Sequence, residues 1–471
     1  MFKALFNYSV LILSVFFSPV SSSAGDEFIQ YAEPTIAITN VRIIDGRGDS
    51  ALQAQTLVIQ NGKIQQLGHR QDIMVPEGAT LIDGTGKTLL PGFVMMHEHM
   101  FYPTGKANYT EMLYSFPRLY LAGGATTVRT AGTMAPYADL NLNRAIADGQ
   151  IIGPDIDVTA PYLNGPGLPI LKVNALGGVD DAERMVRYWQ DEGVTSYKAY
   201  MHIRRNELAR VIELAHQKRH KVTAHLCSVT YREAAELGID NLEHGFVVMT
   251  DFVKDKQPDQ CPNAQQTAKS LTTLDLDSPE FKGLIQLLVH KNVAITSTLT
   301  IYETFAPGRP KASLEALAVL IPEVRRQYES RWMKVQSNTE SPWADIFLKA
   351  MAMEKRFVEA GGTLLVGTDP TGYGGVIAGF SSKRAIELLV EAGFSLEQAV
   401  NFATLEGARF LGRESSIGSI EIGKRADFIL LNGNPKKDIR AIHNIQTVFK
   451  QGIGYDSQAI IDSMANTVGL H

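Results

Sequence analysis

Short runs of alternating apolar and polar residues stand at both ends of the chain, while longer apolar runs separated by amphipathic stretches fill its middle. From about Thr35 to Leu90 the sequence reads IAITNVRIIDG, TLVIQNGKIQQLG and TLIDGTGKTLLPG. Alternation with period two predicts half-buried strands, and Asn61-Gly62 predicts a tight hairpin turn. IGSIEIGKRADFILLNGNP and IQTVFKQGIGYD, near the other end, have the same character. The pattern therefore predicts a small β-sandwich domain assembled from both chain ends, residues 33–90 and 412–465, with everything between them inserted.

Eight apolar runs can be counted in the inserted part: GFVMMHEH, GGATTVRTAG, DIDVTAPYL, VTSYKAYM, HKVTAHLC, IDNLEHG, NVAITSTL and GTLLVGTD. Amphipathic helical stretches such as DDAERMVRYWQDEG, RNELARVIELAHQKR and TYREAAELG lie between several of them. Strand then helix, repeated in this way, predicts a (β/α)8 TIM barrel over residues 91–411. The segments Val247–Gln286 and Tyr302–Phe357 are longer than a minimal repeat needs and are expected to elaborate its active face.

Chemistry-bearing residues recur where these strands end. The first run closes on His97 and His99, which alternation sends to the same face. The fourth carries Lys198, the fifth His225, the sixth His244 and the eighth Asp369. Taken singly, each has a plain structural explanation: a hydrogen-bonded histidine, a snorkelling lysine, or an aspartate capping a turn before Pro370. Six such residues at five strand ends are a costly way to fill a core, at about 1–3 kcal/mol for each unsatisfied polar group, so a metal site is the expectation. Imidazoles with a carboxylate suit zinc and similar divalent ions. An ammonium cannot ligate, but a carbamylated Lys198 would offer two oxygens able to bridge two ions. The expected arrangement has His97, His99 and Asp369 around one ion and His225 and His244 around the other.

An H-E-x-x-H protease helix is excluded because Phe101 stands where the second histidine belongs. Glu98 points opposite to its neighbours on the strand and is expected to be structural rather than the general base. Candidate substrate contacts are Arg129, Tyr162, Tyr200, His202 and Tyr302, with Asn164 beside them; Arg129 could equally salt-bridge internally. Cys227 shares the parity of His225 and is expected to line the same cavity.

With 471 residues, 45% hydrophobic, 20% charged and net charge −5, the chain reads as globular and unsuited to nucleic acid. Lys3, the apolar stretch Leu5 to Phe17 and Ser22-Ser23-Ala24 read as a cleaved signal peptide, residues 1–24. This implies a periplasmic or secreted protein with no membrane anchor in its mature form. Cys227 and Cys261 make no disulfide framework, so stability is expected from an ordinary core. A homo-oligomer is left open.

The set H-x-H, Lys198, His225, His244, Asp369 in this strand order, with the LLPGFVMMHEH entry and the IGSIEIGKRADFILLNGNP exit, resembles the amidohydrolase superfamily over nearly the whole mature chain. GATTVRTAG, NLEHG, TSTLTIYE and VGTD are most similar to its imidazolonepropionase-related branch, which includes prolidase-like metal-dependent dipeptidases; Lys198 favours the dipeptidases. GVTSYKAYM also resembles the fourth strand of hydantoinases. Thr130 stands where the dipeptidases carry Asp, and Asn164-Gly165-Pro166-Gly167 where they carry Gly-Gly-His. The resemblance implies cleavage of a C–N bond in a dipeptide or N-acyl amino acid by a metal-bridging hydroxide, with Asp369 as proton shuttle. A cyclic amide or lactone is the alternative substrate, and a non-catalytic scaffold the alternative of another class.

Overall fold

The computed structural model describes residues 25–105, 108–168, 170–372 and 374–470. The segment read as a signal peptide, residues 1–24, lies outside them. Among the described residues no helix is long and apolar enough to cross a membrane.

Both chain ends meet in a single sheet of nine strands. Leu52–Gln60 and Lys63–His69 pair across Asn61 and Gly62, whose φ of 50° and 76° satisfy the two left-handed positions of the expected turn. Phe428–Asn432 runs antiparallel to Lys87–Pro91, and Ile29–Tyr31 to Ile453–Asp456, so the first and last segments of the fold are knitted together. Ile36, Ile38, Leu57, Ile59, Leu89, Phe428 and Phe449 form the core of this unit. The strands are hydrogen-bonded in one run, which folds back on itself where Lys63 bridges Arg425. The long strand Thr35–Ile43 makes the run continuous, since its first half pairs with Thr80–Asp83 and its end with Lys87–Pro91. The final helix, Ser457–Ser463, leaves the sheet and packs on the helix Ser115–Ala122, where Ser457 Oγ donates to Ala122 O at 2.7 Å.

The inserted part carries eight short strands: β1 (Phe93–Glu98), β2 (Ala125–Thr130), β3 (Asp155–Asp157), β4 (Ser196–Ala199), β5 (Lys221–Ala224), β6 (Asn241–Glu243), β7 (Ala294–Ser297) and β8 (Leu364–Val366). They form two arcs, β3-β2-β1 and β4-β5-β6-β7-β8, all parallel. Bridges Thr159↔Ser196 and Leu163↔Ala199 join the arcs on one side. On the other, Thr368 N and Asp369 N both donate to His97 O, at 3.1 and 3.0 Å. β8 approaches β1 so closely there that a Cβ on Gly367 would lie 2.2 Å from His97 Cβ, so the position requires glycine.

The expected amphipathic helices form at Val179–Glu192, Arg205–Gln217 and Tyr231–Leu237. The first ends on Gly193 in the left-handed region, and the last starts with a reciprocal Thr230–Glu233 cap. The two long segments are largely helical, with Ala264–Thr273 and Pro279–His290 in one and Pro322–Ser337 and Trp343–Glu359 in the other. A hairpin, Phe101–Gly105 with Asn108–Glu111, follows β1 and is absent from the sequence expectation.

Cys227 and Cys261 are joined as a disulfide, which ties the end of β5 to the segment following β6. This corrects the reading of Cys227 as a cavity residue, because strand alternation ends with Ala224 and no longer controls where Cys227 points. The crosslink closes a sequence separation of 34 residues. Cys261→Ser is expected to lower the free energy of unfolding by about 2–4 kcal/mol. Denaturant titration of the oxidised proteins measures this, and coincident curves for variant and parent would contradict it.

Candidate active site

His97, His99, Lys198, His225, His244 and Asp369 all line one cavity of about 320 Å3 at the C-terminal ends of the strands. The ligating atoms of His97, His99 and Asp369 lie within 4.8 Å of one another, so the three can hold a metal ion. Nε2 of His99 is 3.3 Å and Nε2 of His97 3.7 Å from Asp369 Oδ1. His225 and His244 form the adjoining pair, with ring centroids 4.4 Å apart; His244 is 4.6 Å from His97.

Hydrogen bonds behind the rings set their orientation. His97 Nδ1 meets Glu243 Oε2 at 2.6 Å, His99 Nδ1 meets Gly132 O at 3.2 Å, and His244 Nδ1 meets Thr298 Oγ1 at 2.9 Å. With Nδ1 engaged, Nε2 is the nitrogen left to face an ion. Burial, reinforced by Lys198, pushes His97 down to about 4 and His225 to about 3, so both imidazoles are neutral at pH 7, as ligation requires. Asp369 is also buried, but His97, His99 and His244 outweigh that cost and hold its carboxyl well below the usual range. His244 and Asp369 both adopt positive φ, 71° and 55°, conformations that persist where surrounding contacts impose them and that concentrate at functional sites.

Lys198 is fully buried, and burial lowers its pKa to about 8. Its Nζ stands 3.3 Å from Glu243 Oε1 yet has no hydrogen bond of good geometry. A buried amine left in this state is out of place as a structural group, and it fits a lysine that carries a further group towards an ion.

Glu243 escaped the sequence reading. If His244 faces the cavity, alternation sends its neighbour outward; the positive φ at His244 breaks the alternation, so Glu243, which does not line the cavity, still reaches His97 behind it. Burial opposes ionisation of Glu243, but Lys198, His97 and Arg129 together keep it an anion. Glu98 behaves as expected, away from the cavity. It accepts from Thr368 N at 2.9 Å and Thr368 Oγ1 at 2.5 Å, so it secures the residue before Asp369, and burial pushes its carboxyl up to about 8.

Tyr162, Tyr200 and Tyr302 line the cavity as anticipated. Two other candidate contacts are corrected. Arg129 does not line the cavity; its donors are used by Ser196 Oγ, Met96 O, Glu243 and Thr223 Oγ1, an internal bracing role. His202 does not line it either, because the chain turns after Tyr200 and His202 folds back on the 164–167 loop, its Nδ1 3.1 Å from Pro166 O. Asn164 supports that turn, accepting from His202 N at 2.9 Å.

Residues 347–453 match the model of the amidohydrolase family. A solved structure from Bifidobacterium longum, provisionally named a prolidase, is 25% identical and superposes with a TM-score of 0.64 over 91% of this chain and 98% of its own. In sequence over residues 347–453, and in fold over nearly its whole length, the chain resembles the amidohydrolases. A Xaa-Pro dipeptidase with methionine in its active site shares the fold at 21% identity, TM-score 0.68, over 90% of this chain and 100% of its own. The dihydroorotase of Mycobacterium tuberculosis is 30% identical over 143 residues, 29% of this chain and 31% of the relative. The chain thus spans about a third of the length of the curated relatives it matches.

Because Glu243 orients His97, Glu243→Gln is expected to weaken binding of a divalent ion by about 10–100-fold. Competition with a chelator measures this, with circular dichroism to verify the fold, and unchanged affinity would contradict the role.

Proposed function

We propose that the chain is a metal-dependent hydrolase acting on a C–N bond of a small molecule, built on a (β/α)8 barrel whose strand ends carry the site. The observation that carries the reading is the meeting of His97, His99 and Asp369 within 4.8 Å at the base of a cavity that also contains Lys198, His225 and His244. In this reading His97, His99 and Asp369 hold one divalent ion and His225 and His244 a second, zinc suiting both donor sets. Lys198, its amine made easier to deprotonate by burial, would as the carbamate formed with carbon dioxide add an anionic ligand to these donors.

Divalent metal, when bound, supplies a water ionised near neutral pH and polarises the scissile carbonyl. The chain's residues do the rest. Asp369, a carboxylate at neutral pH, takes the proton of the attacking water and delivers it to the leaving nitrogen. Thr371 Oγ1, donating to Asp369 Oδ1 at 2.7 Å, and the Glu98–Thr368 bonds hold that carboxylate in place. Tyr162, Tyr200 and Tyr302 enclose the substrate and restrict water.

Asp369→Asn is expected to keep most of the metal and lose about 10²–10⁴-fold in turnover. Metal analysis, together with assays on a panel of dipeptides, N-acyl amino acids, hydantoins and lactones, measures both quantities. Turnover equal to the parent's would overturn the shuttle role.

A further inference from the structure

Two aromatic arms flank the imidazoles. On one side Phe101 stacks on His99 at 4.4 Å, and Tyr162 packs against Tyr200 at 4.7 Å, which in turn meets His225 at 5.0 Å. On the other, Tyr302 stands 5.9 Å from His244 and 6.0 Å from Phe305, and stacks on Trp343 at 5.8 Å. Met134 and Ile170 complete an apolar wall, joined in one cluster with Phe101, Tyr162 and Tyr200. The cavity, about 320 Å3, is at the small end of the roughly 300–1,000 Å3 typical of small-molecule sites.

Away from the residues assigned to the metals, the cavity wall offers no cation to an anion. Recognition of a free carboxylate calls for an arginine or a mobile ammonium. Among the described residues lining the cavity there is no arginine, and the lysine present is Lys198, 3.3 Å from Glu243. Arg129, the guanidinium nearest in the strand order, is used up internally by four partners. The carboxylate of Asp369 faces the cavity instead. Tyr162, Tyr200 and Tyr302 add hydroxyl groups and no cation to this wall.

We propose that the molecule this cavity takes is an uncharged amide or carbamate bearing an aromatic or branched aliphatic group, seated between the Tyr162–Tyr200 and Tyr302–Phe305 arms, and not a peptide ending in a free carboxylate. This deepens the hydrolase reading and rests on it for the reaction. Water's oxygen bonds to the acyl carbon, the C–N bond breaks, and one proton of the water passes to the departing nitrogen, leaving an acid and an amine.

The test is binding, read apart from turnover. Metal-loaded protein is titrated calorimetrically with N-benzoylglycinamide and with N-benzoylglycine, which differ in a terminal amide against a carboxylate. The amide is expected to bind at least about tenfold more tightly, although a carboxylate can itself approach the metals. Met134→Arg, at a partly exposed position of the wall, is expected to narrow or reverse that ratio by strengthening binding of the carboxylate. Tyr200→Leu is expected to weaken the amide several-fold with metal content unchanged. Equal or tighter binding of the carboxylate by the parent protein would overturn the proposal. Preference for the amide without hydrolysis of either ligand supports the proposal while counting against the hydrolase reading, so the two fail separately.

Discussion

One buried carboxylate, Glu243 on β6, receives His97 from β1, Arg129 from β2 and Lys198 from β4. A charge with no access to water must be paired, and removing one partner of a buried pair costs about 3–5 kcal/mol. The pairing is therefore a constraint on the fold as much as on the site. It draws four strands of the two arcs to a common centre, fixes which nitrogen of His97 faces the cavity, and keeps the Lys198 amine within reach of the metal ligands. Arg129 adds Ser196, Met96 and Thr223 to the same network. The floor of the cavity is thus built before any ion is considered.

Above that floor, the site is closed by a second device at the seam between the arcs. Thr368 and Asp369 both donate backbone hydrogen bonds to His97 O, while Glu98 on the opposite face of β1 grips Thr368. Neighbouring residues of β1 thus do different work: His97 and His99 face the cavity, and Glu98 anchors the strand that brings Asp369 to them. Gly367 is the steric condition for this closeness. The positive φ of Asp369 is tolerated because the chain is held on both sides of it.

Much of this was legible from residue order. Alternation along β1 put His97 and His99 on one face, strand-end positions identified Lys198, His225, His244 and Asp369, and Asn61-Gly62 marked its hairpin. What escaped has physical causes. Glu243 was hidden because a left-handed residue at His244 cancels the alternation by which a neighbour's direction is read. Arg129 stood open between a substrate ligand and an internal brace because sequence shows its charge and not the anion beneath it. His202 and Cys227 were misplaced by extending strand parity beyond the strands' ends. The disulfide joins segments whose return path is made by an irregular excursion, which spacing does not encode. The terminal β-unit was recognisable as strands from both ends, but the pairing along Thr35–Ile43 that joins them in one hydrogen-bonded run is not encoded in the alternation.

The central claim is that these strand ends form a metal centre, and anomalous diffraction from crystals of the zinc-loaded protein tests it most directly. The account predicts density for an ion about 2.0–2.2 Å from Nε2 of His97, Nε2 of His99 and the carboxylate of Asp369, with a second peak on His225 and His244 and added density on Lys198 Nζ. Zinc bound elsewhere while His97, His99 and Asp369 remain without an ion would contradict it.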